Sequence, residues 1–151
     1  MEPIVDHERR IRALEAELDI IKMRSRGYSW GTWTPTLTQG VSVAATVSGQ
    51  YTQIGKLVVV SFAIVATAAG TAANRVAIGG MPGSAVGVNR VFGGADIQDA
   101  GTRNIHAAMY MQASGVFWMI ENNMADVVGI ASSYTVASGD TITGFGVYQV
   151  P

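Results

Sequence analysis

Few residues in this chain have the side chains that most catalysis requires. It contains two histidines, His7 and His106, and no cysteine. The histidines form no HxH or HExxH pattern, so the sequence indicates no metal site and no cofactor. No serine lies in a G-x-S-x-G elbow that His106 could activate. We therefore predict that the protein is not an enzyme.

The acidic residues of the C-terminal part are the remaining group that could support catalysis. A glycosidase needs two carboxylates at a defined separation. The acids here lie mostly at predicted strand ends or turns, where acids are common for backbone reasons. They are Asp96, Asp99, Glu121, Asp126 and Asp140. Glycan cleavage at subunit interfaces is therefore the least favoured of three functional hypotheses.

Aromatic residues offer a second kind of chemistry, because exposed rings stack on sugars and mark binding surfaces. Tyr28, Trp30 and Trp33 form a cluster that we interpret as packing beneath the C-terminal domain. Trp118 lies on a predicted strand and Tyr134 near a predicted turn. For these two, a ligand surface and ordinary packing remain equally open interpretations.

Charge divides the chain into two parts. Residues 1–26 contain 6 acidic and 6 basic residues, whereas the whole chain has only 11 and 10. Gly27 follows as a helix-stop candidate. We predict a stalk over residues 1–27 and a β domain over residues 28–151. The net charge of −1 gives no argument for binding nucleic acid or an anionic membrane.

The first part has a heptad repeat over residues 4–24. Five of its six core positions are aliphatic, and the sixth is His7. The five are Ile4, Ile11, Leu14, Leu18 and Ile21. The flanking pairs Arg10–Glu15 and Glu17–Lys22 have opposite charges, as a parallel coiled coil requires. We predict a self-associating helix, with packing against its own domain as the alternative.

The number of chains in the bundle is less constrained by the repeat. Isoleucine at a with mixed leucine and isoleucine at d does not specify a dimer, and no asparagine at a enforces one. We favour a homotrimer. The low charge of the second part agrees with a surface that is partly buried between copies.

The second part is predicted to be an antiparallel β-sandwich. Short segments rich in Val, Ile, Thr, Tyr and Phe alternate with Gly, Asn, Asp and Ser. Segment Leu57–Val65 is apolar on both faces. The apolar stretch Leu57–Ala66, broken only by Ser61, is too short to span a membrane, which takes about 20 residues. One face is expected to meet the core and the other a neighbouring copy. The predicted strands are 34–37, 41–47, 57–67, 75–78, 90–97, 105–113, 116–121, 127–131 and 141–150.

Two motifs resemble a recurrent module of tailed-bacteriophage fibre, spike and head-decoration proteins. They are W-T-P-T-L at residues 33–37 and G-x-Y-x-x-I-G-x-L-V at residues 49–58, followed by I-x-x-x-P at residues 78–82. The final segment, residues 138–148, is similar to the last strands of trimeric jelly-roll heads of the complement and tumour-necrosis-factor type. The chain thus resembles a coiled-coil stalk joined to a jelly-roll head.

The resemblance implies structural roles for the module residues. Trp33 and Pro35 would open the first strand, and Gly49 and Tyr51 would provide a turn and a packing anchor. Gly55 would make a close-approach turn before the long strand that contains Val58.

The resemblance also implies a virion location and a structural function. The leading hypothesis is a homotrimeric phage structural protein, a small fibre, spike or capsid-decorating protein, whose partners are itself and other capsid or tail proteins. The second hypothesis is a receptor-binding head that recognises host surface glycans through Trp118, Tyr134 or loops between subunits.

Overall fold

The computed structural model describes Glu8 and residues 10–18, 29–86, 90–100, 103–111, 117–121 and 134–151. Within these residues the protein is mainly antiparallel β, as predicted. The strands are β1 (Gly31–Trp33), β2 (Thr36–Gln39), β3 (Val41–Val43), β4 (Ala45–Ile54), β5 (Leu57–Ala66), β6 (Val76–Gly79), β7 (Arg90–Asp99), β8 (Arg103–Met111), β9 (Phe117–Glu121) and β10 (Thr141–Gln149). The predicted strand 127–131 lies outside the described residues.

Strand β5 has the two apolar faces that its sequence predicts. Its even-numbered residues from Val58 to Ala66 are buried, whereas Leu57 and Val65 are 50% and 41% exposed. Strand β8 alternates in the same way, with Ile105 and Met109 buried. Since successive side chains of a strand point to opposite faces, one side of these strands builds the core. The other side of β5 faces outward.

The strand order shows that the sheet rolls into two facing layers. Hydrogen bonding gives the order β1-β4-β5-β10-β7-β8-β9-β6-β2-β3. Laid flat at about 4.8 Å between strands, such a sheet would be roughly 43 Å wide. Yet residues 34–35 alone connect β1 with β2, and Ala44 alone connects β3 with β4. A two-residue connection spans only about 10 Å, so both ends of the sheet must lie together, which is consistent with the predicted sandwich.

The last four of the described strands have the order of a Greek key. Strands β7, β8 and β9 pair in succession, and β10 returns to lie beside β7. This spatial order is the one that defines the motif. Jelly rolls are built from two such keys. Strand β10 also pairs with β5 on its other side, so it lies between β5 and β7.

The start of the domain differs from the prediction in one respect. Trp33 ends β1 and Pro35 lies between β1 and β2, so these residues do not open one strand over 34–37. Proline has no N–H to donate to a ladder, and a break in pairing is where it fits. The chain can therefore move from one layer to the other at this point. A second break at Ala44 divides the predicted strand 41–47.

Gly49 was predicted to make a turn but lies inside β4, opposite Trp33 of β1. A Cβ at Gly49 would lie 2.6 Å from the Trp33 carbonyl oxygen and 2.7 Å from its indole Nε1. A second pair mirrors this arrangement, because a Cβ at Gly31 would lie 2.7 Å from the ring of Tyr51. Tyr51 packs against the core, as predicted. Each glycine in the β1–β4 ladder thus makes room for the aromatic ring across from it.

Changing Gly49 to alanine should therefore destabilise the domain by about 2–3 kcal/mol, as overpacking of a core does. Urea unfolding followed by tryptophan fluorescence, at fixed protein concentration, measures this. The matched control is Gly94→Ala in β7, where an added Cβ has no neighbour closer than 3.8 Å. Equal stability of the two variants would refute the role given to Gly49.

Gly55 makes the turn between β4 and β5, as predicted, but not for the predicted reason. Its φ is +60°, and a Cβ there would meet nothing within 4 Å. Glycine is suited to the backbone conformation of this two-residue hairpin, not to a close approach.

The described part of the predicted stalk is helical over residues 10–18, and all of these residues are exposed. Ile11, Leu14 and Leu18 are 54%, 63% and 49% exposed. These residues are not covered by their own domain, which disfavours the alternative of an intramolecular helix. Ile4 and Ile21 lie outside the described residues. Among the described residues, no helix combines the length and the apolar character that crossing a bilayer requires.

Candidate functional site

A shallow groove lies on the outer face of β10, β7 and β8. Antiparallel register places Thr143, Asp96 and His106 side by side across the three strands. These three side chains form the polar row of the groove, and each residue is exposed. The groove has a volume of about 450 Å³ on one side of this row.

Within the polar row, His106 Nδ1 contacts Asp96 Oδ1. Both side chains remain about two-thirds exposed, at 69% and 68%, so the contact adds little to stability. It uses one polar atom of each side chain. Among the described residues, Asp96 Oδ2 and His106 Nε2 make no further contact, so both atoms can meet a ligand beside the Thr143 hydroxyl group.

The apolar end of the groove is formed by Phe145, which is 61% exposed. Phe145 pairs with Gly94 of β7. One edge of the ring approaches this glycine, since a Cβ at Gly94 would be 3.9 Å from Phe145 Cε1. An exposed aromatic ring thus stands beside bare backbone, which forms the floor of the groove at Gly94.

The groove continues past the polar row toward the other end of the strands. This second part has a volume of about 310 Å³ and shares Thr143, Asp96 and His106 with the first. Its further polar lining includes Gln98, Asn104 and Thr141. From Phe145 to Thr141 the groove runs for about 13 Å, at roughly 3.3 Å per strand residue.

Tyr134, predicted as a candidate ligand residue, is 1% exposed and belongs to the core. Its hydroxyl group donates a hydrogen bond of 2.9 Å to Asp140 Oδ2. The prediction of a ligand surface at Tyr134 is therefore wrong. The sequence around Tyr134 is typical of a turn. It gives no sign that the ring is buried with Asp140 as its hydrogen-bond partner.

Asp140 lies at a turn, as predicted, but it is fully buried. Besides Tyr134, its carboxylate accepts hydrogen bonds from the backbone N–H groups of Ala137 (2.8 Å) and Ala100 (2.9 Å). A carboxylate occupied by three donors cannot serve as the acid or base of a surface site. Of the acids considered for hydrolysis, Asp140 is thus structural.

Gln39 is a second buried polar residue in the same region. Its side-chain NH₂ donates to the carbonyl oxygens of Asn74 (3.1 Å) and Tyr134 (3.2 Å), and its Oε1 accepts from Val136 N–H (2.8 Å). We call Gln39, Tyr134 and Asp140 the buried polar cluster. It fastens residues 134–140 to the sheet, and this segment leads directly into β10.

The remaining candidates are placed only in part. Trp118 lies on β9 as predicted, opposite Tyr110 of β8 and Ala77 of β6, but its side chain is outside the described residues. So are the side chain of Glu121 and all of Asp126. Within the described residues, no group of three or more His, Asp or Glu side chains is arranged to hold a metal ion.

A second exposed feature adjoins the groove at the far end of β10. Outward-facing apolar side chains on β4, β5 and β10 form what we call the apolar face. It consists of Ile54, Leu57, Val59 and Val147. Ile54, Leu57 and Val147 are 42%, 50% and 40% exposed, and Val59 is half-buried. Three of these four positions lie on the paired strands β5 and β10.

The segment at residues 78–82 is fastened to the last strand. The Tyr148 hydroxyl group of β10 donates to the Pro82 carbonyl oxygen at 2.6 Å. Burial, and to a smaller extent Tyr51, raise the pKa of Tyr148 far above its ordinary value. Tyr148 therefore stays neutral and keeps its donor throughout the physiological range.

Comparison with known proteins gives no relative: no family model, curated protein or solved structure matches the chain. The interpretation of the groove, the buried polar cluster and the apolar face therefore depends on their own chemistry.

Proposed function

We propose that the protein is a homotrimeric structural protein of a phage virion, a small fibre, spike or capsid-decorating protein displayed on the particle surface. The observation that supports self-association is the exposed apolar stripe of Ile11, Leu14 and Leu18. A helix of this length is marginal in water without partners. A second and third copy supply the same stripe, with charges of opposite sign at the flanking positions.

We propose that other copies of this chain also cover the apolar face. A parallel coiled coil would hold the heads of its chains side by side, because its helices run in the same direction and each head follows its helix in the sequence. Burying exposed aliphatic side chains stabilises by roughly 25 cal/mol for each Å² removed from water. With only 5 acidic and 4 basic residues after residue 26, the head has few charges that would oppose such contact. The stalk would then set the number and direction of heads that associate through their sheets.

The mechanism under this proposal is attachment and stabilisation, without catalysis. The residues of the two phage-module motifs have structural roles: Trp33 and Val58 lie in the core, and Gly49 and Tyr51 pack the β1–β4 ladder. The trimeric coiled coil and the complete jelly-roll topology belong to this proposal. So do the virion location and the contacts with other capsid or tail proteins.

Sedimentation velocity of the full chain at micromolar concentration tests the assembly. The expected result is one species with the mass of three chains of 15.9 kDa. Val147→Asp should weaken this species because it places a charge in the proposed contact between heads. Ser48→Asp on the outward side of β4 is the matched control and should leave it intact. A monomeric wild-type protein would overturn the proposal.

A further inference from the structure

Neither the backbone conformation nor the packing at position 94 requires a glycine. Its φ is not positive, and a Cβ added there would meet only the Ala107 carbonyl oxygen and Phe145 at ordinary distances of 3.8 and 3.9 Å. Neighbouring glycines differ, because a Cβ at Gly93 or Gly144 would lie 1.9 or 2.6 Å from another atom. Glycine within a strand costs about 0.5–1 kcal/mol relative to alanine. Such a residue often marks a site where a ligand approaches the backbone closely.

The surroundings of Gly94 indicate the class of ligand. Phe145 offers an exposed ring on one side, and the polar row offers a carboxylate oxygen, an imidazole nitrogen and a hydroxyl group on the other. A pyranose ring has this combination of surfaces: an apolar C–H face that stacks on an aromatic ring, and hydroxyl groups at its rim. Asp96 Oδ2 can accept from such hydroxyl groups, and His106 Nε2 can add a further hydrogen bond.

We propose that the groove binds a neutral saccharide, with one pyranose ring stacked on Phe145 above Gly94 and its hydroxyl groups on Asp96 and His106. The Asp96 carboxylate disfavours acidic sugars. The continuation toward Gln98 and Asn104 provides hydrogen-bonding amides for a second ring, so an oligosaccharide should bind more tightly than a single sugar. In the proposed trimer each head has one groove, and three sites give avidity for a glycan-covered surface.

Saturation-transfer NMR on the full-length protein tests this inference. The probes are the methyl glycosides of glucose, galactose and mannose, maltotriose, and sialic acid as an acidic comparison. We expect at least one neutral probe to bind, and sialic acid to bind at least tenfold more weakly. Maltotriose should bind more tightly than methyl glucoside, because the groove has room for a second ring.

Two variants locate the site. Gly94→Ala should fold as well as the wild type yet lose binding at least tenfold, because its methyl group occupies the floor. Phe145→Ala should lose binding to a similar extent. Ser48→Ala on the outward side of β4 is the control and should bind normally. Sedimentation of each variant is measured in parallel.

Three binding results would overturn the inference. They are the absence of binding by every neutral probe, binding that both groove variants leave unchanged, and equal or tighter binding of sialic acid. Loss of the trimer in the groove variants would assign Gly94 and Phe145 to a contact between copies and would equally reject the saccharide site. Loss of sugar binding with an intact trimer leaves the proposed structural function untouched, so the two proposals fail separately.

Discussion

Replacing Leu14 and Leu18 together by aspartate is expected to dissociate the trimer. Both side chains are largely exposed in the single chain and lie at core positions of the predicted heptad. In the assembly each leucine would be buried, and losing a buried leucine typically costs 2–5 kcal/mol. Placing a charge there adds the cost of desolvation. The combined effect, repeated in three chains, exceeds what a three-heptad coiled coil can offset.

The consequence for the heads is as important as the loss of the trimer. Once separated, they expose the apolar face to water, and larger exposed apolar patches promote aggregation. We therefore expect sedimentation to show monomers together with aggregates. The control is Ala13→Asp with Ala16→Asp, which adds the same charges to the same helix at positions outside the heptad core. A double leucine variant that remains a soluble trimer would show that the heads alone are sufficient.

The second large effect is expected at Asp140. Changing Asp140 to alanine leaves three donors without their acceptor: the Tyr134 hydroxyl group and the N–H groups of Ala137 and Ala100. Hydrogen bonds to a charged group contribute about 1.5–3 kcal/mol, and unsatisfied buried donors cost further. We expect a loss of about 3–5 kcal/mol in the free energy of unfolding, measured by urea denaturation at fixed protein concentration.

Two comparisons separate the buried polar cluster from a general effect of removing an acid. Tyr134→Phe deletes one donor and should cost about 1–1.5 kcal/mol. Asp99→Ala removes a partly exposed acid from the nearby end of β7 and should cost less than about 0.5 kcal/mol, as most surface substitutions do. If Asp140→Ala were no more destabilising than Asp99→Ala, the anchoring role of the cluster would be wrong.

The parts of the fold that could be predicted are those in which the apolar pattern of a strand indicates which of its side chains are buried. The alternation in β8 and the two apolar faces of β5 are local patterns, and burial follows them residue by residue. The hairpin at Gly55 is likewise a local signal. Pairing between distant strands has no such signal, which is why β10 between β5 and β7 was not foreseen.

The same reason explains the errors at Gly49 and Tyr134. Gly49 has the composition of a turn, but its role depends on Trp33, which reaches it only through the β1–β4 register. Tyr134 and Asp140 are six residues apart, and nothing in that spacing reveals that Gln39 lies beside them. Buried polar contacts of this kind depend on tertiary structure, whereas apolar periodicity does not.

The groove was missed for a related reason. Asp96, His106 and Thr143 come from three strands, and only the antiparallel register aligns them in a row. Asp96 as a candidate acid and His106 as a candidate base are 10 residues apart in the sequence, and this spacing does not reveal that they meet. Gly94 is the one sequence signal for the groove. It can be interpreted only with the structure, which shows that a Cβ at this position would not clash with any neighbouring atom.

The central claim, that this chain is displayed on a virion, is tested most directly by locating it in intact particles. Antibodies raised against residues 28–151 would be applied to purified particles of the phage that encodes this chain, and the labelled particles would be viewed by electron microscopy. The account predicts labelling at defined positions on the capsid or tail without disruption of the particle. Purified particles that contain none of the protein would contradict it.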